Sequence, residues 1–269
     1  AYKELLPAGG PVRTQVIGEV TKEKEDQAQR VKEFMNYQIM HVMEEFDPDL
    51  DQMLFYLPLS GSTFKKIYYD ASLGRAVSKF VPSDDLVVPY NAVNLEQAER
   101  VTHVIKKSEN EVRKLQVTGF YRDVDIRTLD EQNELEEKER QLSGVRKVGY
   151  SDGDYTLLEV HANLDIPGFE REDGIKVPYI VTIDEGSGNV LSIYRNYRED
   201  DDKLRKTQYF VHYKFLPGLG FYGLGLIHML GGLSRTATAA LRQLIDAGTL
   251  ANLPAGFKAR GMRIRDEDD

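Results

Sequence analysis

Twenty consecutive residues without a formally charged side chain, from Phe215 to Ser234, interrupt a sequence in which 29% of residues are charged. About 20 apolar residues are enough to cross a bilayer as a helix. However, six of these twenty residues are glycine and one is proline, and each interior glycine costs about 1 kcal/mol of helix stability relative to alanine. We therefore predict that the first half is a buried, tightly turned segment, and we expect no membrane association.

From Leu226 onward the uncharged segment has helical periodicity. Apolar and small residues recur at steps of three or four, which is the spacing of one face of an amphipathic helix. This face comprises Leu226, Leu230, Leu233, Ala237, Leu241, Leu244 and Gly248. We expect these residues to pack against another protein surface, while Arg235 and Arg242 lie off the face.

Composition excludes several classes of site. The sequence has no cysteine, so disulfide frameworks, thiolate metal sites and cysteine nucleophiles are excluded. The net charge of −9 argues against a protein that grips nucleic acid over its whole surface, because that requires clustered lysine and arginine. At 269 residues the chain is long enough for one large domain or two smaller ones.

The remainder of the chain alternates between helical and strand patterns. Before residue 120 three helices are predicted, at 22–45, 49–56 and 109–119, the first ended by Asp47-Pro48 and the second by Pro58. Ser108 and Glu111 match a capping box at the start of the third helix. Strands are predicted at 65–69, 76–81, 101–106, 155–160, 177–183, 190–194 and 208–215. The predicted fold class is therefore α+β, with an antiparallel sheet and helices that lead into a long carboxyl-terminal helix.

Three sequence features could indicate a cofactor, catalytic or metal site. Gly218, Gly220 and Gly223 approximate a dinucleotide-binding pattern, but no acidic residue follows at the ribose-binding distance. The acidic residues around 130–154, including Glu136 and Asp152, are compatible with a metal-dependent hydrolase or nuclease. The five histidines do not have the spacing of a known metal motif, so no metal, cofactor or catalytic residue is assigned.

One compact basic patch lies near the carboxyl terminus. It comprises Lys258, Arg260, Arg263 and Arg265. Four cations within eight residues are suited to contact DNA phosphates or an acidic partner, although the acids that follow could also pair with them. The patch is therefore a candidate DNA or partner contact.

Four long strings carry a resemblance to a known family. They are LPLSGSTFKKIYYD (57–70), DLVVPYNAVNLEQAERVTHVIKKSENEVRKLQVTGFY (85–121), KVPYIVTIDEGSGNVLSIYRNY (176–197) and HYKFLPGLGFYGLGLIHMLGGLSRTATAALRQLIDAGTLANLPAGFKARGMRI (212–264). Together they resemble the portal, or head-to-tail connector, proteins of short-tailed double-stranded DNA bacteriophages. The resemblance covers nearly the whole chain.

This resemblance implies a non-enzymatic structural subunit of a ring, usually of twelve copies, at one capsid vertex. Double-stranded DNA is packaged and ejected through such a ring, which also docks the large terminase subunit, capsid or scaffold proteins and tail adaptor proteins. The implied location is the virion, after assembly in the host cytoplasm.

The resemblance also implies a division of the chain into parts. Residues 1–215 would form a wing-like α+β domain. Residues 216–250 would form a glycine-rich bend and the start of a stem helix, and 251–269 would enter the clip. Portal proteins extend further in both directions, so the chain is expected to be truncated at both ends.

Overall fold

The computed structural model describes residues 6–7, 9–127, 155–169 and 173–252. Two compact units divide between Gly225 and Leu226. The first unit is a body of mixed helices and antiparallel strands, and the second contains one long helix. The chain is therefore a mixed α+β protein with a long carboxyl-terminal helix, which confirms the predicted fold class.

Four α-helices and two shorter helical segments lie within the described residues. The α-helices are α1 (Lys22–Tyr37), α2 (Phe46–Ser60), α3 (Glu109–Val117) and α4 (Leu226–Asn252), and the shorter segments are a π-helix (Gln38–Val42) and a 3-10 helix (Ser83–Asp85). The predicted capping box of α3 is confirmed, because the Ser108 side chain accepts from Glu111 N and the Glu111 side chain accepts from Ser108 N.

The predicted ends of the first two helices are wrong. Helix α1 stops at Tyr37, and Pro48 lies in the first turn of α2, where the missing proline N–H would have had no intrahelical partner. Pro58 lies inside α2, which continues to Ser60. Gly61 ends this helix instead, because it adopts a φ of +85° and its N–H donates to the carbonyl of Leu57.

The strands form two antiparallel sheets. A three-stranded sheet has the order β2 (Arg75–Pro82), β1 (Ser62–Asp70), β8 (Phe210–Lys214). A five-stranded sheet has the order β3 (Leu86–Val87), β4 (Arg100–Lys107), β5 (Tyr155–Leu164), β6 (Val177–Asp184), β7 (Val190–Arg195). Strand β8 thus pairs with β1 across a separation of about 150 residues, for example His212 opposite Phe64.

Helix α2 and the N-cap residue that precedes it cover the edge strand β2 with two carboxylates. The amide of Ser78 donates to Glu45 Oε1 at 3.1 Å, and the amide of Phe80 donates to Asp49 Oδ2 at 2.7 Å. Arg75 also pairs with Glu45, with a distance of 2.7 Å from Nη1 to Oε2. Because exposed edge strands can pair with other chains, these contacts protect this edge from strand addition.

The main core cluster lies where the three-stranded sheet meets the loop that precedes β4. Phe64 and Phe210 contribute from β1 and β8, and Phe221 contributes from the glycine-rich segment. The other side of this cluster comprises Leu86 of β3 and, from the loop that follows it, Ala92, Leu95 and Ala98. The glycine-rich segment is therefore anchored in the body through Phe221. Among the described residues, none of the helices combines the length and apolar character that a membrane span requires.

Candidate functional site

The glycine-rich segment passes so close to the end of α2 that side chains are excluded. Gly61, Gly223 and Gly225 approach one another through their backbones. A Cβ atom on Gly61 would lie 2.6 Å from the carbonyl oxygen of Gly223, and one on Gly223 would lie 2.5 Å from the carbonyl oxygen of Gly61. These distances are shorter than van der Waals contact, so the close approach requires glycine on both sides.

Hydrogen bonds to the Ser62 side chain connect the same segment to β1. The amide of Gly223 donates to Ser62 Oγ at 2.7 Å, and Nε2 of His212 lies 3.1 Å from the same oxygen. The His212 ring packs against both Phe64 and Phe221, with centroid distances of 4.4 and 4.7 Å, and the two phenyl rings also stack on each other at 5.9 Å. The segment around Gly223 is thus held by both polar and aromatic contacts.

The histidine of this pair is neutral at pH 7. Burial lowers the pKa of His212 to about 4, and the positive charge of Lys214 contributes in the same direction. Ser62 is completely buried, so a substrate has no access to its hydroxyl. The Ser62–His212 pair therefore stabilises the segment and does not act as a nucleophile and base.

The glycine pattern does not form a nucleotide site. The N–H of Gly223 is already bound to Ser62, whereas a phosphate cradle needs free backbone N–H groups. Gly218 lies against the carbonyl of Tyr222. Glycine is therefore required at Gly218 and Gly223 because the backbone packs closely against backbone there.

Helix α4 presents the predicted packing residues on one exposed face. At 100° per residue, all seven lie within a sector of about 80°. Four leucines of this face are strongly exposed within the chain: Leu230 53%, Leu233 69%, Leu241 60% and Leu244 71%. Leu226 is half-buried, and Ala237 and Gly248 are exposed. The seven residues therefore share one face of α4, and all of them except Leu226 are exposed to solvent.

The opposite side of α4 carries all of its ionisable side chains. They are His228, Arg235, Arg242 and Asp246, and they fall within a sector of about 40°. All four are exposed. Arg235 and Arg242 were predicted to lie off the apolar face, but their alignment with His228 was not predicted, although the seven-residue spacing of 228, 235 and 242 is visible in the sequence.

A buried ionic network joins the two sheets of the body. Lys66 Nζ on β1 lies 2.7 Å from both carboxylate oxygens of Glu159 on β5, and His161 Nε2 lies 2.7 Å from Glu159 Oε1. Burial opposes ionisation of Glu159, but the hydrogen bond from His161 and the charge of Lys66 outweigh it and lower its pKa to about 2. This network was not predicted from the sequence, because Lys66 and Glu159 are 93 residues apart.

The remaining predicted site residues lie outside the described residues. These are the basic patch Lys258, Arg260, Arg263 and Arg265, and the acidic residues of 130–154 that favour the hydrolase or nuclease alternative. Among the residues that the structure describes, no group of three histidine, aspartate or glutamate side chains is placed to hold a metal ion. The described part of the chain thus offers no observation in favour of that alternative.

Comparison with known proteins does not assign a family. No protein-family model matches the sequence, and no curated protein matches it.

Proposed function

We propose that the chain is a subunit of a bacteriophage portal ring, a structural protein that forms the channel for packaging and ejecting double-stranded DNA. The observation that carries the proposal is the exposed apolar face of α4, a helix of 27 residues. This helix forms about half of the last string that resembles portal proteins. It corresponds to the stem helix in that resemblance, and the α+β body corresponds to the wing.

An exposed apolar helix face of this size needs a protein partner. Burying one leucine side chain contributes about 1.5–3 kcal/mol, so leaving Leu230, Leu233, Leu241 and Leu244 in water forgoes a large stabilisation. Small residues among them, including Ala237 and Gly248, allow another helix to approach closely. Copies of the same chain that associate head to tail close into a ring when the rotation between them closes.

The net charge of the chain is compatible with a conduit for DNA. The whole chain carries a net charge of −9, and each phosphate that a protein neutralises adds affinity that translocation must break. In this proposal the protein itself is not an enzyme. ATP hydrolysis belongs to the large terminase subunit, and the further partners are capsid or scaffold proteins and tail adaptor proteins.

A matched pair of substitutions on α4 tests the proposal. Ala237 and Ala239 are both exposed helical alanines, and they lie about 160° apart around the helix axis. Ala237→Asp places a charge in the apolar face and should prevent assembly, because an unpaired charge in an interface costs several kcal/mol. Ala239→Asp carries the same helix-propensity cost but lies outside the face, so it should assemble like the wild type.

The measurement is the particle mass in solution by light scattering, with circular dichroism to show that both variants are folded. Wild-type and Ala239→Asp protein should give a mass of about twelve subunits, and Ala237→Asp should give monomers or small species. Equal assembly of the two variants would refute the assignment of this face.

A further inference from the structure

We propose that the helical segment 22–60 is a detachable cover, which opens from the edge of β2 while the strands beneath it stay folded. The segment contains α1, the π-helix and α2. Opening releases the amides of Ser78 and Phe80, which the closed cover binds through Glu45 and Asp49. This opening does not require that the chain forms a ring.

Little apolar burial holds the cover on the sheet. Within 22–60, all of which the structure describes, Met53 of α2 is the only buried residue. Large apolar side chains of the segment, such as Phe34 and Phe55, are strongly exposed. Segments with few buried apolar contacts open at a lower free energy than core strands. The cover therefore has less apolar burial to lose on opening than the strands beneath it.

Two carboxylates of the cover take the place of a neighbouring strand. The amides of Ser78 and Phe80 are two residues apart on β2, so both point out of the sheet edge, where the carbonyls of a next strand would accept them. Glu45 Oε1 and Asp49 Oδ2 accept them instead, at 3.1 and 2.7 Å. When the cover opens, both amides are free to pair with an extended strand.

Three buried polar side chains beneath α2 favour opening. Lys65 Nζ, Ser78 Oγ and Thr63 Oγ1 have no hydrogen-bond partner among the described residues. Alternation along β1 and its register with β2 place all three on one face of the sheet. This face is the one under α2, because Lys65 Nζ lies 4.0 Å from the ring centroid of Phe46. Burying a polar group without a hydrogen bond destabilises the closed state, and opening lets water reach this face.

Two adjacent lysines of β1 differ in how they are paired. Burial lowers the pKa of Lys65, while the charges of Asp49 and Glu45 act in the opposite direction. Among the described residues, no carboxylate accepts a hydrogen bond from Lys65 Nζ. Lys66 points to the other face of β1, where both carboxylate oxygens of Glu159 lie 2.7 Å from its Nζ. The unpaired lysine is therefore under the cover and the paired one is not.

Site-resolved hydrogen exchange of the whole chain measures the opening. The amides of Ser78 and Phe80 should exchange through the same opening as those of α2. Their exchange should be about 100-fold faster than that of Lys79 and Val81, whose amides point to β1 in the same strand. Equal protection of all four amides of β2 would overturn the proposal, because the edge would then open only when the sheet unfolds.

A pair of lysine variants tests the cause of the opening. Lys65→Met removes the unpaired cation and keeps a long apolar side chain, so exchange at Ser78 and Phe80 should slow about tenfold. Lys66→Met is the control, because it leaves Glu159 without its lysine partner and should not slow exchange at these amides. Unchanged or faster exchange in Lys65→Met would show that Lys65 holds the cover closed and would contradict the proposal.

Discussion

The hydroxyl oxygen of Ser62 accepts a hydrogen bond of 2.7 Å from the amide of Gly223, 161 residues further along the chain. This contact ties β1 to the segment that immediately precedes α4. Removing the hydroxyl in Ser62→Ala leaves the buried amide without its acceptor, which costs about 1–3 kcal/mol. Urea unfolding should show that loss, whereas Ser72→Ala in an exposed turn should change stability by about 0.5 kcal/mol or less. Equal effects of the two substitutions would contradict the role assigned to Ser62.

Gly61 and Gly74 separate the cost of backbone conformation from the cost of close packing. Both have positive φ, +85° and +64°, so alanine at either position incurs a conformational penalty of about 1–2 kcal/mol. A Cβ on Gly74 would meet nothing within 4 Å, whereas one on Gly61 would lie 2.5 Å from the carbonyl carbon of Leu224. Gly61→Ala should therefore lower the free energy of unfolding more than Gly74→Ala. Similar losses for both would show that the close approach of the glycine-rich segment is absent in solution.

Glu159→Gln should strongly destabilise the body. The substitution removes the carboxylate that pairs with Lys66, whose side chain is only 12% exposed, and an unpaired buried charge typically costs about 3–5 kcal/mol. Asp123→Asn is the control, because Asp123 and its partner Arg113 are 72% and 58% exposed and surface pairs contribute about 0–1 kcal/mol. Chemical denaturation of both variants measures the difference. A loss for Glu159→Gln no larger than that for Asp123→Asn would contradict the network.

Acidification should destabilise the fold through its buried histidines. Burial lowers the pKa of His103 from 6.5 to about 4, and the positive charge of Lys66 acts in the same direction. The unfolded chain therefore binds more protons than the folded chain between these two values, so stability is complete above about pH 6.5 and falls as the pH drops towards 4. The loss attributable to His103 is at most about 3 kcal/mol.

The substitution His103→Phe tests this dependence, since the ring is retained next to Phe210 but no longer titrates. The free energy of unfolding should fall less between pH 7 and pH 4.5 in this variant than in the wild type. Replacing the exposed His41 by glutamine should leave the wild-type pH dependence in place. Equal losses in the free energy of unfolding of His103→Phe and the wild type over this range would show that His103 does not cause the acid destabilisation.

Local patterns predicted the parts of the fold that depend on neighbours in sequence. The capping box at Ser108 and Glu111, the hairpin of β1 and β2, and the periodicity of α4 all involve residues within a few turns of one another. The ends of the first two helices were predicted wrongly. The breaking effect of Pro48 depends on where in the helix it falls, and tertiary contacts decide where α2 begins.

Contacts between distant segments could not be predicted in this way. The pairing of β8 with β1, the carboxylates of Glu45 and Asp49 on the edge of β2, and the Lys66–Glu159 pair each join residues at least 30 positions apart. Alternation in β5 shows which residues share a face, but not which strand lies opposite. For the candidate site, periodicity predicted the packing face of α4. The role of Ser62 became apparent only from its hydrogen bond with Gly223, and that of His212 only from its contact with Ser62.

Negative-stain imaging of the purified wild-type protein tests the portal proposal most directly. A subunit that packs α4 against identical neighbours should give closed rings of uniform size, with rotational symmetry close to twelvefold and a central hole wide enough for duplex DNA. Compact particles without a hole, at concentrations where the protein is folded and fully soluble, would contradict the proposal.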